Sequence, residues 1–176
     1  MFTMFEEARI FIASCRHRLV LLMCDMVKSG ELYVISNLSD FELIWQTSVK
    51  YVLAIVDHLI DIIGNKVGCA YDIGCAFSKT LQRSSLAEKA KDASFHLMVG
   101  AFHGHAHNRA CQLEWHPLYI QGTGHSDGEG CEHVFASSND LARGTRHATR
   151  FHRHQAIEEH FSFWDQDKYA NLSKII

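Results

Sequence analysis

Apolar residues recur at Phe5, Ala8, Phe11, Ile12, Cys15, Leu19, Leu22, Met23 and Met26. That spacing, close to 3.6 residues, predicts a helix over residues 4–29. Ser29-Gly30 supplies a stop, with Lys28 in the last turn. Across residues 32–49 the period is lost, and LYVISNLSDFELIWQTSV reads as apolar, strand-like runs. Helical spacing returns over Tyr51–Ile63, with Leu53, Val56, Leu59, Ile60 and Ile63 on one face. Asp57, His58 and Asp61 lie largely opposite as a solvated face, and Gly64-Asn65 ends the helix.

The VGCAYDIGC run is short, apolar and bracketed by glycine, as a buried strand ending at Asp72 should be. Residues 76–92 are polar and helical in part, with SSLAEKAKD the strongest segment. A second strand is predicted over Phe95–Phe102. It runs directly into three alternate histidines, His103, His105 and His107, with Asn108, Arg109 and Cys111 close behind. Residues 106–115 turn into a helix that Pro117 stops. Gln121–Gly128 is a loop, and helices follow over about Glu129–Leu141 and Thr145–Trp164. The pattern is that of a helix-rich α/β chain with two predicted strands and several helices.

Composition narrows this. A chain of 176 residues, 47% hydrophobic, can bury a core of its own, and one domain is expected. A net charge of -3 gives no global attraction to nucleic acid or to a membrane. Six cysteines without a CxxC pair fit reduced, intracellular thiols better than a disulfide framework. The N-terminal MFTMFEEARIF lacks a positive region and carries Glu6 and Glu7, so no secretory signal is expected. LVLLM is too short to cross a bilayer. A soluble, intracellular protein is the expectation.

Strand ends are where a rigid sheet presents polar groups to solvent. Asp72 stands at one, the histidines at the next, and Glu129 and Glu132, at i and i+3 on a helix, share a face. Three such carboxylates suit hard divalent cations, and a pair of ions can drive phosphodiester chemistry. Imidazole and thiolate instead suit zinc, for which Cys75, His103, His105, His107 and Cys111 are candidates. His103 and His107 share a face if the segment is helical; all three histidines share one if it is extended. Eleven of the thirteen histidines lie at or after His96, so the enrichment is regional. Capping of strand ends is the plainer role for one or two of them. RGTRHATRFHRH carries Arg143, Arg146, Arg150 and Arg153 with no acid. The last three fall at i, i+4 and i+7, a stripe that can neutralise nucleic-acid phosphates or pair with Glu158 and Glu159.

Six runs carry a resemblance: FEEARIFIASCRHRLVLLMCDMVKSGEL, YVLAIVDHLIDIIG, YDIGCAFSKTL, VGAFHGHAHNRACQ, DGEGCEHVFASSN and FHRHQAIEEHF. Together they resemble the Kyakuja-Dileera-Zisupton DNA transposases, abundant in fungal genomes, over nearly all the chain except residues 32–50. The resemblance implies a ribonuclease-H-like core that uses Mg2+ or Mn2+ to cleave and transfer DNA strands, and a nuclear location. It implies that residues 1–176 are the C-terminal part of the catalytic domain, with residues 32–50 an insert. Asp72 corresponds to the second catalytic acid and Glu129 or Glu132 to the third, while the Cys/His residues support the site, with zinc as a further candidate ion. DNA is the implied partner, and no membrane is.

The family's first catalytic Asp has no counterpart here, since Asp25 lies in the predicted helix, so an incomplete and inactive core is expected. Arg18 and Ser126 stand where the family more often has Gly and an acid. A half-sheet with an open edge also favours self-association and poor solubility. Two other readings stay open. One is a zinc-dependent hydrolase on His103, His105 and His107, although the HxHxDH pattern of metallo-β-lactamase-like enzymes would need Asp and His at His107 and Asn108. The other is a domesticated, non-catalytic DNA-binding protein.

Overall fold

The computed structural model describes residues 7–27 and 38–172. The chain divides into two compact units, Met1–Val52 with Gly130–Ile176, and Leu53–Glu129. The architecture is mixed α/β and helix-rich, as expected, with seven α-helices and two small sheets among the described residues.

In the first unit the expected helix over residues 4–29 is instead a hairpin of β1 (Glu7–Ser14) and β2 (Val20–Val27). The strands are antiparallel, with Phe11 opposite Cys24 and Ile12 opposite Met23. The apolar run VLLMCDM fits a period of two as well as one of 3.6. On β2, Met26 is 4% exposed, whereas Leu21 and Met23 are 38% and 40% exposed, which is strand alternation. A turn decides between the two periods: Arg18 N–H donates to Cys15 O at 2.8 Å and Cys15 N–H to Leu19 O at 2.9 Å. Arg18 itself sits at φ +69°, as in three-residue hairpin loops that end in a left-handed residue. No Gly, Pro or Asn in CRHRL announces it.

Helices α5 (Gly130–Ser137), α6 (Asn139–Thr145) and α7 (Arg150–Leu172) complete this unit. Ile12, Val134, Ile157 and Phe161 form its buried centre, with Ile10, Val20, Phe135, Leu141 and Trp164 packed around it. Polar tethers fix the hairpin on the helices. Val20 N–H donates to Asp165 Oδ1 at 2.9 Å and Trp164 Nε1–H to Arg18 O at 2.7 Å. A Cβ on Gly130 would come within 2.8 Å of Ser14 Oγ, so α5 begins against β1 only because that residue is glycine.

Helix α1 (Leu38–Ile63) begins inside the stretch expected to be irregular. Residues 38–49 are helical rather than strand-like, while 32–37 lie outside the described residues. Once the Tyr51–Ile63 turns are nucleated, each added residue gains a backbone hydrogen bond without a new nucleus. Gly64, at φ +86°, ends α1 as expected.

The second unit holds β3 (Gly68–Ala70) and β4 (His96–Met98), paired parallel with Cys69 beside Leu97. Parallel strands need a crossover, supplied by α2 (Gly74–Arg83) and α3 (Ala87–Asp92). Its buried apolar side chains include Val56, Leu59, Ile60, Phe77, Leu81, Leu97, Met98 and Val99. α2 starts tight against the sheet: a Cβ at Gly74 would lie 2.5 Å from Met98 O. Both strands are shorter than expected. After Met98 the chain turns through a 3-10 segment (His103–Ala106) into α4 (Arg109–Trp115), and Pro117 opens another 3-10 turn.

Candidate functional site

Ligands of parallel sheets gather beyond the carboxyl ends of the strands. Asp72 follows β3 and His103 follows β4 at that end. The Asp72 side chain is 58% exposed, and its Oδ2 lies 3.6 Å from His103 Nε2. That separation is too long for a hydrogen bond and is an ion-pair distance when the imidazole is protonated. Burial first, then the Asp72 charge, pushes the neighbouring Tyr71 phenol above its ordinary range.

Glu129 is 9% exposed and closes the other side of His103. Its Oε2 lies 3.1 Å from His103 Nδ1, and its Oε1 accepts the Phe102 N–H at 2.9 Å. The residue that makes room is Gly100, because any Cβ there would overlap the Glu129 carboxylate. Asp127 Oδ1 accepts the Glu129 N–H at 3.0 Å, and Asp127 O accepts the Ala101 N–H at 2.8 Å. Gly128, at φ +74°, would meet Ala70 Cβ at 2.8 Å if it carried a side chain. The DGEG segment is therefore laid along the strand exits, with Glu129 as a bracket on His103.

Glu132 lies in the other unit, exposed in the first turn of α5. Sequence spacing makes the two glutamates look equivalent; their surroundings do not. Asp72 fits a hard cation, being an exposed carboxylate at a strand end. Glu129 fits less well, since both its oxygens already serve the Phe102–His103 backbone and ring.

The three alternate histidines separate. His103 joins the acids, His105 is exposed, and His107 faces two thiols. His107 Nδ1 lies 3.4 Å from Cys75 Sγ and 3.2 Å from Cys111 Sγ. The 3-10 turn between them is neither extended nor α-helical, so neither expected shared face arises. Burial, then the hydrogen bond and charge of Cys75, pushes the Cys111 thiol up to about 11. Asn108 caps α4 by accepting the Cys111 N–H at 3.0 Å, and Gln112 Nε2 donates to His107 O at 2.9 Å. Asn is a favoured N-cap, yet the helix expected over residues 106–115 put Asn108 inside it, and α4 begins only at Arg109; the Gln112 clasp had no signal in spacing.

The arginines separate as well. Arg143 is exposed near Asp140 Oδ1, at 4.0 Å, and Arg146 follows the end of α6. α7 starts at Arg150, so Arg146 is not in register with the rest of the stripe. Arg153 Nη1 reaches Asp25 Oδ1 at 2.5 Å with 14% of its side chain exposed, and His154 Nε2 lies 2.9 Å from Asp25 Oδ2. Asp25 is thus a strand residue rather than a helical one, with both oxygens engaged.

A family model described as Kyakuja-Dileera-Zisupton transposase matches residues 1–39 and 45–165. No curated protein and no solved structure matches the chain.

Proposed function

The chain belongs to the Kyakuja-Dileera-Zisupton transposase family, and on that premise we propose that it carries part of a ribonuclease-H-like, divalent-metal-dependent core for DNA strand cleavage and transfer in the nucleus, incomplete without the family's first catalytic Asp. The observation that carries this reading is the exposed Asp72 carboxylate at the exit of a parallel strand, faced by His103 from the next strand exit. Bound Mg2+ or Mn2+ supplies activation of an attacking oxygen and stabilisation of the leaving one. In this scheme Asp72 is a metal ligand. Glu129 is a positioning residue: it holds the His103 ring and the Phe102 backbone where Asp72 can use them. Arg143, Arg146 and Arg150 contact the DNA backbone, while Arg153 is committed to Asp25.

The zinc-hydrolase reading needs three histidines around one ion. Among the described residues His103, His105 and His107 do not converge, which weighs against it.

The test is a Mn2+-dependent nicking assay on supercoiled plasmid and on labelled transposon-end duplexes. Any nicking that the incomplete core retains is expected to fall to background in Asp72→Asn, with salt-dependent DNA binding intact. Undiminished nicking by Asp72→Asn would refute the assignment. DNA binding without any metal-dependent nicking in the parent chain would leave a binding protein in place of an enzyme.

A further inference from the structure

Beside the carboxylates lies a second group of donors with different chemistry. Cys75 is in the first turn of α2, His107 follows the 3-10 turn, and Cys111 is in the first turn of α4. The two Sγ atoms and one imidazole nitrogen all lie within 4.8 Å of one another. A tetrahedral zinc ion, with Zn–S of about 2.3 Å and Zn–N of about 2.0–2.1 Å, holds sulfur and nitrogen ligands about 3.5 Å apart. The observed 3.4 and 3.2 Å sit close to that spacing.

Hydrogen bonding alone explains the cluster poorly. Thiols are weak donors, and one imidazole nitrogen has a single in-plane site to share between two of them. Two sulfurs and a nitrogen are also the wrong donors for Mg2+ and the right ones for zinc. The ligand-bearing backbone is held from behind, as metal sites require: Gln112 clasps His107 O, Asn108 caps α4 at Cys111, and Gly74 lets α2 start against Met98.

We propose that Cys75, His107 and Cys111 bind one zinc ion that ties the exit of β3 to the exit of β4. Asp72 precedes Cys75 by three residues and His103 precedes His107 by four. The ion therefore fixes the carboxylate and imidazole relative to each other without touching either. Its fourth position goes to water. The site stands on its own ligands and does not depend on the strand-transfer reading.

Full-length protein isolated from zinc-supplemented cells should contain one zinc per chain by elemental analysis. Exchange with Co2+ should give the intense visible bands of tetrahedral cobalt and the sulfur-to-cobalt charge-transfer absorption. Cys75→Ser, Cys111→Ser and His107→Ala should each lose the metal, whereas the exposed His105→Ala should keep it. Asp72→Asn should also keep full zinc, even where nicking is lost, which separates this site from the carboxylates. Chelation should speed amide exchange at both strand exits, residues 72–75 and 103–111. Parent protein that takes up neither zinc nor cobalt would overturn the proposal, as would a Cys75→Ser/Cys111→Ser double variant that retains full zinc. A Cys75–Cys111 disulfide that persists under reducing, zinc-replete conditions would overturn it too.

Discussion

Arg18 shows how one residue can be misplaced by its own backbone. At φ +69° a side chain crowds the following carbonyl, a strain of about 1–2 kcal/mol that glycine escapes. Part of that gain is lost because glycine loosens the unfolded chain. Arg18→Gly is therefore expected to raise the unfolding free energy by about 0.5–1 kcal/mol, read as a higher denaturant midpoint at unchanged slope. A lower midpoint would mean that the Arg18 side chain contributes more than its backbone costs. At the same scale, the sequence placed Asp72 at a strand end but did not show the difference between Glu129 and Glu132. Asp72 was legible because glycines bracket a short apolar run and leave an acid at its end. Two glutamates three residues apart look alike until Gly100 and the Phe102 N–H are seen to claim one of them.

Among the elements, the ones read correctly had punctuation: Gly64 closing α1, Pro117 after α4, and the loop before α5. The hairpin was missed because its turn is made of Cys, Arg and His, and because a doubly apolar run fits both periods. The start of α1 was missed because helix extension depends little on local pattern. Lys89 on α3 was likewise invisible from spacing. Its ammonium reaches Asp57 Oδ1, and Asp61 Oδ1 at 2.6 Å, two acids one turn apart on α1. Hydrogen bonds to Asp57 and then Asp61 raise the Lys89 pKa. A raised value means the folded state holds its proton longer than the unfolded chain. The stabilisation is thus complete below the ordinary lysine value of about 10.4 and disappears as pH rises through the folded value. Lys89→Met should be less stable than the parent in denaturant titrations at neutral pH, with the two curves converging in strong alkali. A gap that persists there would assign the effect to packing of the lysine stem.

For the whole molecule, family membership follows from a match spanning residues 1–39 and 45–165, and the helix-rich α/β class follows from pattern. The segregation of histidines and arginines into different roles follows from neither. It is set by contacts between residues far apart in the chain, such as His103 with Glu129 and Arg153 with Asp25. Those long separations also fix an order of events. Ser14 meets Cys131, and Arg18 meets Trp164, across 117 and 146 residues of chain. Leu53–Glu129, by contrast, is one uninterrupted stretch. Closing distant segments costs entropy before any contact rewards it. On the ribosome the contiguous unit can close while the hairpin still waits for α7. A chain ended at residue 149 should show slow amide exchange at β3 and β4 and fast exchange at β1 and β2. Equal protection of both strand pairs would mean the hairpin needs no late helix. Until Val134, Ile157 and Phe161 have been made, the nascent chain carries a pair of apolar strands without their core partners, a state in which exposed hydrophobic surface favours aggregation.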